Sequence, residues 1–567
     1  MSAGGTASVL DFSVEGLDGE EKKNVLAYLG KPPETLQSRL NFVAAARDKV
    51  ERALQALGYY QPSIELDLQR TEPTWQLNII ADAGDPVRIS DISIQILGAA
   101  ANDDDFTRLS LHPGFSVGDA LHHGRFDTFR ANVLSLGQQQ GYLRGEVVAS
   151  RIEVQVGAGT ADIVFRYDSG ARLRFGETSV DNPLIDSELF DSMLTFQAGD
   201  YFDQFKLQEL QARLQKTRYF SSVVIQPQRD RSLGDSVPIA INLRPAKRHS
   251  FDVGVGYSTD TEERVSLTWR TPRINRYGHS QLTRIEYSPV NPSGRFTYSI
   301  PIRDPLNDVV QLWARVEENE FGDIESRQNE FGTKRETTVA GWVYGYSLRR
   351  LNESWDIVGY SASNDYLLLG GSVSHRFYRG SAVDPEGGFN QLYTLEGASK
   401  EMGSDLDLLR FTADLRYVVT PLPRNRLVTR FQLGRVKIAS GDRKDLAPSL
   451  AFFAGGSQSI RGYGYQSLGE EVVVVQPNGN SETLVVGGDR LLIGSFEYQY
   501  YFTDTWRGAL FVDAGDAFDK GEFEAKVGAG FGAHYVTPVG AVRVELANSV
   551  SEANPSWRLV FTIGAEF

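Results

Sequence analysis

From position 248 to the C-terminus the sequence alternates with a period of two. Phe251, Val253, Val255 and Tyr257 fall on one face of an extended chain, and Asp252, Gly254, Gly256 and Ser258 on the other. The same alternation returns near 263–271, 279–288, 294–303, 309–318, 335–347, 354–362, 367–378, 389–399, 406–419, 425–436, 490–502, 507–515, 526–536, 540–548 and 557–567, with turn residues between. That predicts about 16 antiparallel strands, each of roughly the 9–11 residues a tilted bilayer crossing needs. Alternate connections are short, as at 304–308, 420–424 and 503–505. An even count of strands returns both ends of the region to one side. In the last segment Trp557, Leu559, Phe561, Ile563, Ala565 and Phe567 share a face. Mean hydropathy is −0.29, and no apolar run approaches the roughly 20 residues of a transmembrane helix. A membrane barrel tolerates such a composition, because lipid-facing and lumen-facing residues alternate.

One interruption of this pattern, 436–489, is far longer than the others. Loops beyond about 12–15 residues are usually functional or disordered. This one carries Phe452, Phe453, Ile460, Tyr463 and Tyr465 around the stretch Gly455-Gly456-Ser457-Gln458-Ser459-Ile460-Arg461-Gly462-Tyr463. An apolar tip with one arginine is expected to dock, which requires a counter-charge for Arg461. The strands that follow supply it. Phe496, Tyr498 and Tyr500 share one face, so Glu497 and Gln499 point into the lumen. Asp513 shares its face with Phe511 and Gly515, while Leu510, Val512 and Ala514 face lipid. An arginine fork satisfies such a carboxylate pair. Gly528, Gly530 and Gly532 lie on the inner face of the next strand and leave room for a folded-in loop.

The first 247 residues follow another grammar. Gly84-Asp85-Pro86-Val87-Arg88-Ile89 returns as Gly170-Ala171-Arg172-Leu173-Arg174-Phe175. Gly58-Tyr59-Tyr60 returns as Gly141-Tyr142-Leu143 and, more loosely, as Arg218-Tyr219-Phe220. Each unit of about 80 residues reads strand, helix, helix, strand, strand. In the first, helix 42–57 carries Val43, Ala46, Val50, Ala53, Leu54 and Leu57 at helical spacing and ends at Gly58. A small sheet of this kind leaves an outer strand open to β-augmentation by an extended client.

The formal net charge of −15 argues against a nucleic-acid partner. With no cysteine, disulfides, zinc–thiolate sites and thiol nucleophiles are excluded together. No G-x-S-x-G, H-E-x-x-H or Walker A pattern occurs. His122-His123 reads as a helix start, and Asn102-Asp103-Asp104-Asp105 as an acidic helix N-terminus without calcium-loop spacing. We therefore expect no catalytic residues, no metal and no cofactor. Met1-Ser2-Ala3-Gly4-Gly5 has no basic region before an apolar core, so an exported chain of this sequence is expected to lack its signal peptide.

The N-terminal grammar resembles the POTRA (polypeptide-transport-associated) domain. Ile460-Arg461-Gly462-Tyr463 is similar to the [VI]-R-G-[FY] signature of the outer-membrane assembly-factor superfamily. That superfamily includes the Bam-complex barrel, two-partner secretion transporters and the translocation and assembly module. Phe511-x-Asp513-x-Gly515 and Glu497 match its barrel-wall partners, and Phe452-Phe453-Ala454-Gly455-Gly456 also looks like the family's. Three POTRA units with about 16 strands, together with Gly58-Tyr59-Tyr60-Gln61-Pro62 and Phe220-Ser221-Ser222-Val223-Val224, look most like its TamA-type branch.

The resemblance implies α+β periplasmic POTRA repeats at 7–85, 86–169 and 170–247. An all-β outer-membrane barrel at 248–567 follows, with 436–489 inserted into its lumen. It implies a lumenal lock of Ile460, Arg461, Gly462 and Tyr463 against Glu497, Phe511, Asp513 and Gly515. The implied location is the bacterial outer membrane, with the POTRA domains in the periplasm. Implied partners are unfolded β-barrel clients such as autotransporters, outer-membrane lipid, and a TamB-like protein anchored in the inner membrane. Side-chain pairing between the first and last strands is thin. A lateral gate is therefore expected where Val253, Gly254, Val255 and Gly256 meet Ile563, Gly564 and Phe567. Two-partner protein secretion, lipid transfer and a passive channel are the alternatives.

Overall fold

The computed structural model describes residues 9–72, 74–181, 184–231, 234–357, 360–381, 384–440, 445–475, 481–538 and 540–564. The chain divides into two compact units, one holding 1–181 with 195–211 and 224–242, the other holding 182–194 and 212–223 with 243–567.

Three small three-stranded sheets form the N-terminal part, each with its last strand in the middle. In the first, Trp75–Asp82 runs parallel to Leu10–Glu15 and antiparallel to Ser63–Gln69. Helices Gly19–Leu29 and Leu36–Gln55 bury Val25, Leu29, Ala46, Val50, Ala53 and Leu54 over Leu77 and Ile79. The second helix starts at a reciprocal cap, where Thr35 and Ser38 exchange side-chain-to-backbone hydrogen bonds. The second sheet comprises Arg88–Leu97, Thr160–Asp168 and Glu146–Gln155, with helices Asp104–Leu111 and His123–Gln139. The third comprises Arg174–Asp181, Ser236–Pro245 and Phe220–Pro227, with helices Ser187–Asp191 and Gln204–Lys216.

The repeated Gly-Tyr mark does more than end a helix. Gly58 has φ +94°, and a Cβ there would stand 2.3 Å from the Leu121 carbonyl oxygen. Its own carbonyl accepts the Val87 N–H, as that of Gly141 accepts Leu173 N–H, both at 2.9 Å. Each mark is thus a joint to the following unit. In the looser third copy Arg218 takes the same left-handed region, at φ +61°.

The second unit carries a sheet of 16 strands in sequence order, each antiparallel to the next, from Ser250–Ser258 to Trp557–Gly564. A hairpin, Glu471–Val475 with Ser481–Val485, stands apart from it in the long loop. Outward side chains form an apolar surface on which Val253 and Val255 are 73% and 84% exposed. So broad an exposed apolar band suits a lipid face. Among the described residues no helix is long and apolar enough to cross a membrane.

Two strands lie elsewhere than the alternation suggested: Ile324–Val339 and Trp342–Ile357, not 335–347 and 354–362, while a third, Tyr360–Gly380, contains the expected 367–378 and extends beyond it at both ends. The tight turn between the first two uses Ala340 at φ +49° and Gly341 at φ +81°, without the usual Asn-Gly or Pro signal. Their ends remote from it are polar, as at Glu325 and Arg327, so the apolar stripe that marks a strand is missing there.

The sheet curls until its first and last strands meet. Among the described residues these edges share one backbone hydrogen bond, from Thr259 N–H to the Phe561 carbonyl at 3.3 Å. The other neighbours are joined by ladders of many registered pairs, such as the nine between Ser250–Ser258 and Glu262–Thr271.

Candidate functional site: a lumenal loop pinned to the barrel wall

The long loop packs inside the barrel because its apolar residues find an apolar wall. Leu446, Ala447, Leu450, Phe452, Ala454, Ile460 and Tyr463 form one core with the strand residues Leu351, Trp355, Tyr366, Leu368, Val436 and Ile493. The loop's course is held by backbone pairs. Phe452 exchanges hydrogen bonds with Gly488, and Ala454 with Leu468. Ile460 is fully buried, which places the next residue deep in the lumen.

Arg461 is 2% exposed and spends its donors on three carboxylates. Nε donates to Asp513 Oδ2 at 2.8 Å and Nη2 to Asp513 Oδ1 at 2.9 Å, a bidentate fork. The Arg461 backbone N–H donates to Asp513 Oδ2 at 3.0 Å. Nη1 reaches Glu497 Oε2 at 2.6 Å and Glu545 Oε1 at 3.1 Å. The guanidinium carbon lies 3.4 Å from the Phe511 ring centroid, a stacked cation–π contact. Arg430 stands behind, with Nη2 donating to Ser495 Oγ at 3.1 Å and lying 3.6 Å from Asp513 Oδ1.

The close approach is possible because the wall opposite is glycine. A Cβ on Gly528 would stand 1.7 Å from the Arg461 carbonyl oxygen. Gly462 passes Asn548 so closely that a Cβ would lie 3.0 Å from the Asn548 carbonyl oxygen. The Tyr463 hydroxyl is 2.7 Å from Ser551 Oγ, in the connection between the last two strands. Gly515 sits where a Cβ would meet the Leu492 carbonyl oxygen at 2.1 Å. Of the lock residues named from the sequence, Glu497, Phe511 and Asp513 touch the Arg461 guanidinium, Ile460, Gly462 and Tyr463 flank it along the chain, and Gly515 packs against the neighbouring strand at Leu492.

Three contributors were not named from the sequence. Glu545 was readable: Val544 and Leu546 alternate with it, so it faces inward like Glu497. Ser495 follows from the same parity. Asp260 was not readable, because it lies in a turn. Its Oδ2 accepts the Ser457 N–H at 2.7 Å, which ties the loop tip to the residue after Thr259.

The expected gate residues lie at the two sheet edges. Val253, Gly254, Val255 and Gly256 are in the first strand, and Ile563 and Gly564 end the described part of the last. Phe567 lies outside the described residues. Across these edges the Thr259 N–H reaches the Phe561 carbonyl, and the Tyr257 ring lies 5.9 Å from the Phe561 ring.

Glu497, His534 and Glu545 bring one donor atom each to within 4.8 Å of the others, a spacing that could hold a metal ion. Arg461 Nη1 already occupies the space between the two glutamates, which argues for a guanidinium rather than a metal ion there.

Comparison with known proteins gives two family matches. The Omp85 superfamily domain matches residues 247–567, and the POTRA domain TamA domain 1 matches residues 11–82. Outer membrane protein assembly factor BamA of Nitratidesulfovibrio vulgaris (strain Hildenborough) is 26% identical over 397 residues, 65% of this chain and 48% of that protein. The chain thus spans about half the length of this curated relative. Among solved structures, BamA from Haemophilus ducreyi lacking POTRA domains 1–3 superposes with a TM-score of 0.71 at 14% identity, covering 84% of this chain and 99% of that one. That likeness concerns the fold. CdiB from Acinetobacter baumannii gives a TM-score of 0.49 at 12% identity, covering 85% of this chain and 90% of that one.

Proposed function

The chain belongs to the Omp85 superfamily, and from that membership we propose that it assembles proteins into the bacterial outer membrane, with its POTRA-like units in the periplasm. The observation that carries this reading is the contrast between the seam and the rest of the sheet. Fifteen neighbouring strand pairs are laddered, whereas the first and last strands share one backbone hydrogen bond among the described residues. In lipid an unpaired strand edge is costly, because water is absent to satisfy it. Such an edge favours an incoming strand that can complete it. The free energy comes from client folding, without nucleotide hydrolysis.

In the finer reading the chain is TamA-like. The match of 11–82 to the TamA-type first POTRA domain supports it, as do three such sheets before the barrel. Its clients would be unfolded β-barrels, including autotransporters, and a TamB-like inner-membrane-anchored protein would dock on the first unit. Purified protein in liposomes, offered a urea-unfolded barrel client, tests the proposal. It predicts client folding, read as protease resistance, faster than in empty liposomes. Equal rates would contradict it. The rival two-partner secretion reading predicts passage of an unfolded client into the liposome lumen instead. A passive channel predicts steady conductance, which a lumen filled by Phe452, Ile460 and Arg461 opposes.

A further inference from the structure

The acids that hold Arg461 are themselves held, and the chain of contacts closes on itself. Glu497 Oε1 accepts from Gln499 Nε2 at 2.5 Å, and Gln499 Oε1 accepts from Arg426 Nη1. Arg426 Nη2 lies 3.7 Å from Asp384 Oδ1. Asp384 Oδ1 also accepts from Arg507 Nη1 at 2.6 Å, and its Oδ2 accepts the Tyr501 hydroxyl at 2.7 Å. Arg507 Nε donates to His534 Nδ1 at 3.2 Å. That donation requires a lone pair on Nδ1, so a neutral His534 carries its proton on Nε2 and donates it to Glu545 Oε1, 2.9 Å away. Glu545 returns the path to Arg461.

Asp384 lies in the connection between strands Tyr360–Gly380 and Pro385–Ala398. By strand parity that connection is on the rim where the chain enters the barrel at Ser250, opposite the rim through which the long loop folds in. Arg426, Arg507 and His534 are 1%, 1% and 0% exposed, so water cannot stand in for a missing partner. The charges balance. Arg461, Arg430, Arg426 and Arg507 are four guanidiniums, and Asp513, Glu497, Glu545 and Asp384 are four carboxylates.

We infer that Asp384 is a second anchor of the loop, and that Arg507 and His534 are positioning residues through which the near rim controls how tightly Arg461 is held. Without the Asp384 carboxylate, Arg507 is no longer held against His534 nor Arg426 against Gln499, and the two side chains that steady Glu545 and Glu497 at Arg461 shift with them. A partner that displaces Asp384 therefore loosens the loop without touching it.

Amide hydrogen exchange on the full chain in detergent micelles tests this. In Asp384→Ala, amides of 455–463 are expected to exchange at least tenfold faster, with those of 519–525 unchanged. His534→Leu should act alike. His534→Gln should stay near the unsubstituted protein, because its amide offers one donor to Glu545 and one acceptor to Arg507. Unchanged exchange at 455–463 in Asp384→Ala overturns the inference. So does a uniform rise across the barrel, or His534→Gln behaving like His534→Leu.

Discussion

Asp260 accepts the backbone N–H of Ser457 at 2.7 Å, one residue beyond the Thr259 N–H that bonds Phe561 across the seam. The loop tip is therefore fastened both to the lumen wall through Arg461 and to the edge of the first strand. Opening the seam strains the second fastening, and release of the loop frees it.

Loss of the Asp260 carboxylate should loosen the seam selectively. The sequence has no cysteine, so a single one introduced at Phe561 reports on that edge alone. In Asp260→Ala, the orphaned Ser457 amide is expected to cost roughly 1–3 kcal/mol locally. Maleimide labelling at position 561 should be faster than with Asp260 present, while a cysteine at Leu510 on a laddered strand should label unchanged.

The Arg461 cluster is a buried ion network, and breaking one side of it is expensive. Arg461→Ala leaves Asp513, Glu497 and Glu545 buried around an absent cation, at roughly 3–5 kcal/mol. Arg461→Lys should recover little, because one ammonium cannot reproduce a fork bonded to Asp513 while reaching both glutamates. Urea unfolding of the barrel in micelles, followed by tryptophan fluorescence, measures both.

Gly528→Ala tests the fit of the loop against the wall. Its Cβ would stand 1.7 Å from the Arg461 carbonyl oxygen, so the loop must shift, at about 1–3 kcal/mol. Gly494→Ala is the control, since its Cβ would have nothing within 4 Å. The same urea titration should separate the two.

Acid should weaken the joint between the first two sheet units. Burial holds the His123 imidazole below its ordinary value, and Nε2 is 2.7 Å from the Tyr60 hydroxyl. An unfolded His123 binds its proton near pH 6.5, which the folded form resists. This contribution to stability is thus present above that pH and is lost as pH falls through the lower folded value. Protection of amides 56–60, taken relative to their intrinsic exchange rate at each pH, should fall as pH drops below about 6.5, and His123→Gln should flatten that fall.

Side-chain facing was legible from the sequence because strand parity fixes it. Val542 and Val544 turned outward oblige Arg543 and Glu545 inward, just as Leu510 and Val512 oblige Phe511 and Asp513. Strand ends were less legible where polar residues such as Glu325 and Arg327 broke the apolar stripe. The turn at Ala340-Gly341 also carries no usual signal. Contacts that join elements by their loops, such as Asp260 with Ser457 or Asp384 with Arg507, depend on closure of the whole sheet. No local period encodes them.

The most direct test fastens the seam itself. Cysteines at Thr259 and Phe561, opposite each other across the edges, can be oxidised to a disulfide in a chain that has no other thiol. In liposomes offered an unfolded barrel client, the oxidised protein should lose its acceleration of client folding, and reductant should restore it. Equal acceleration by the oxidised and reduced forms would show that clients do not pass through this edge.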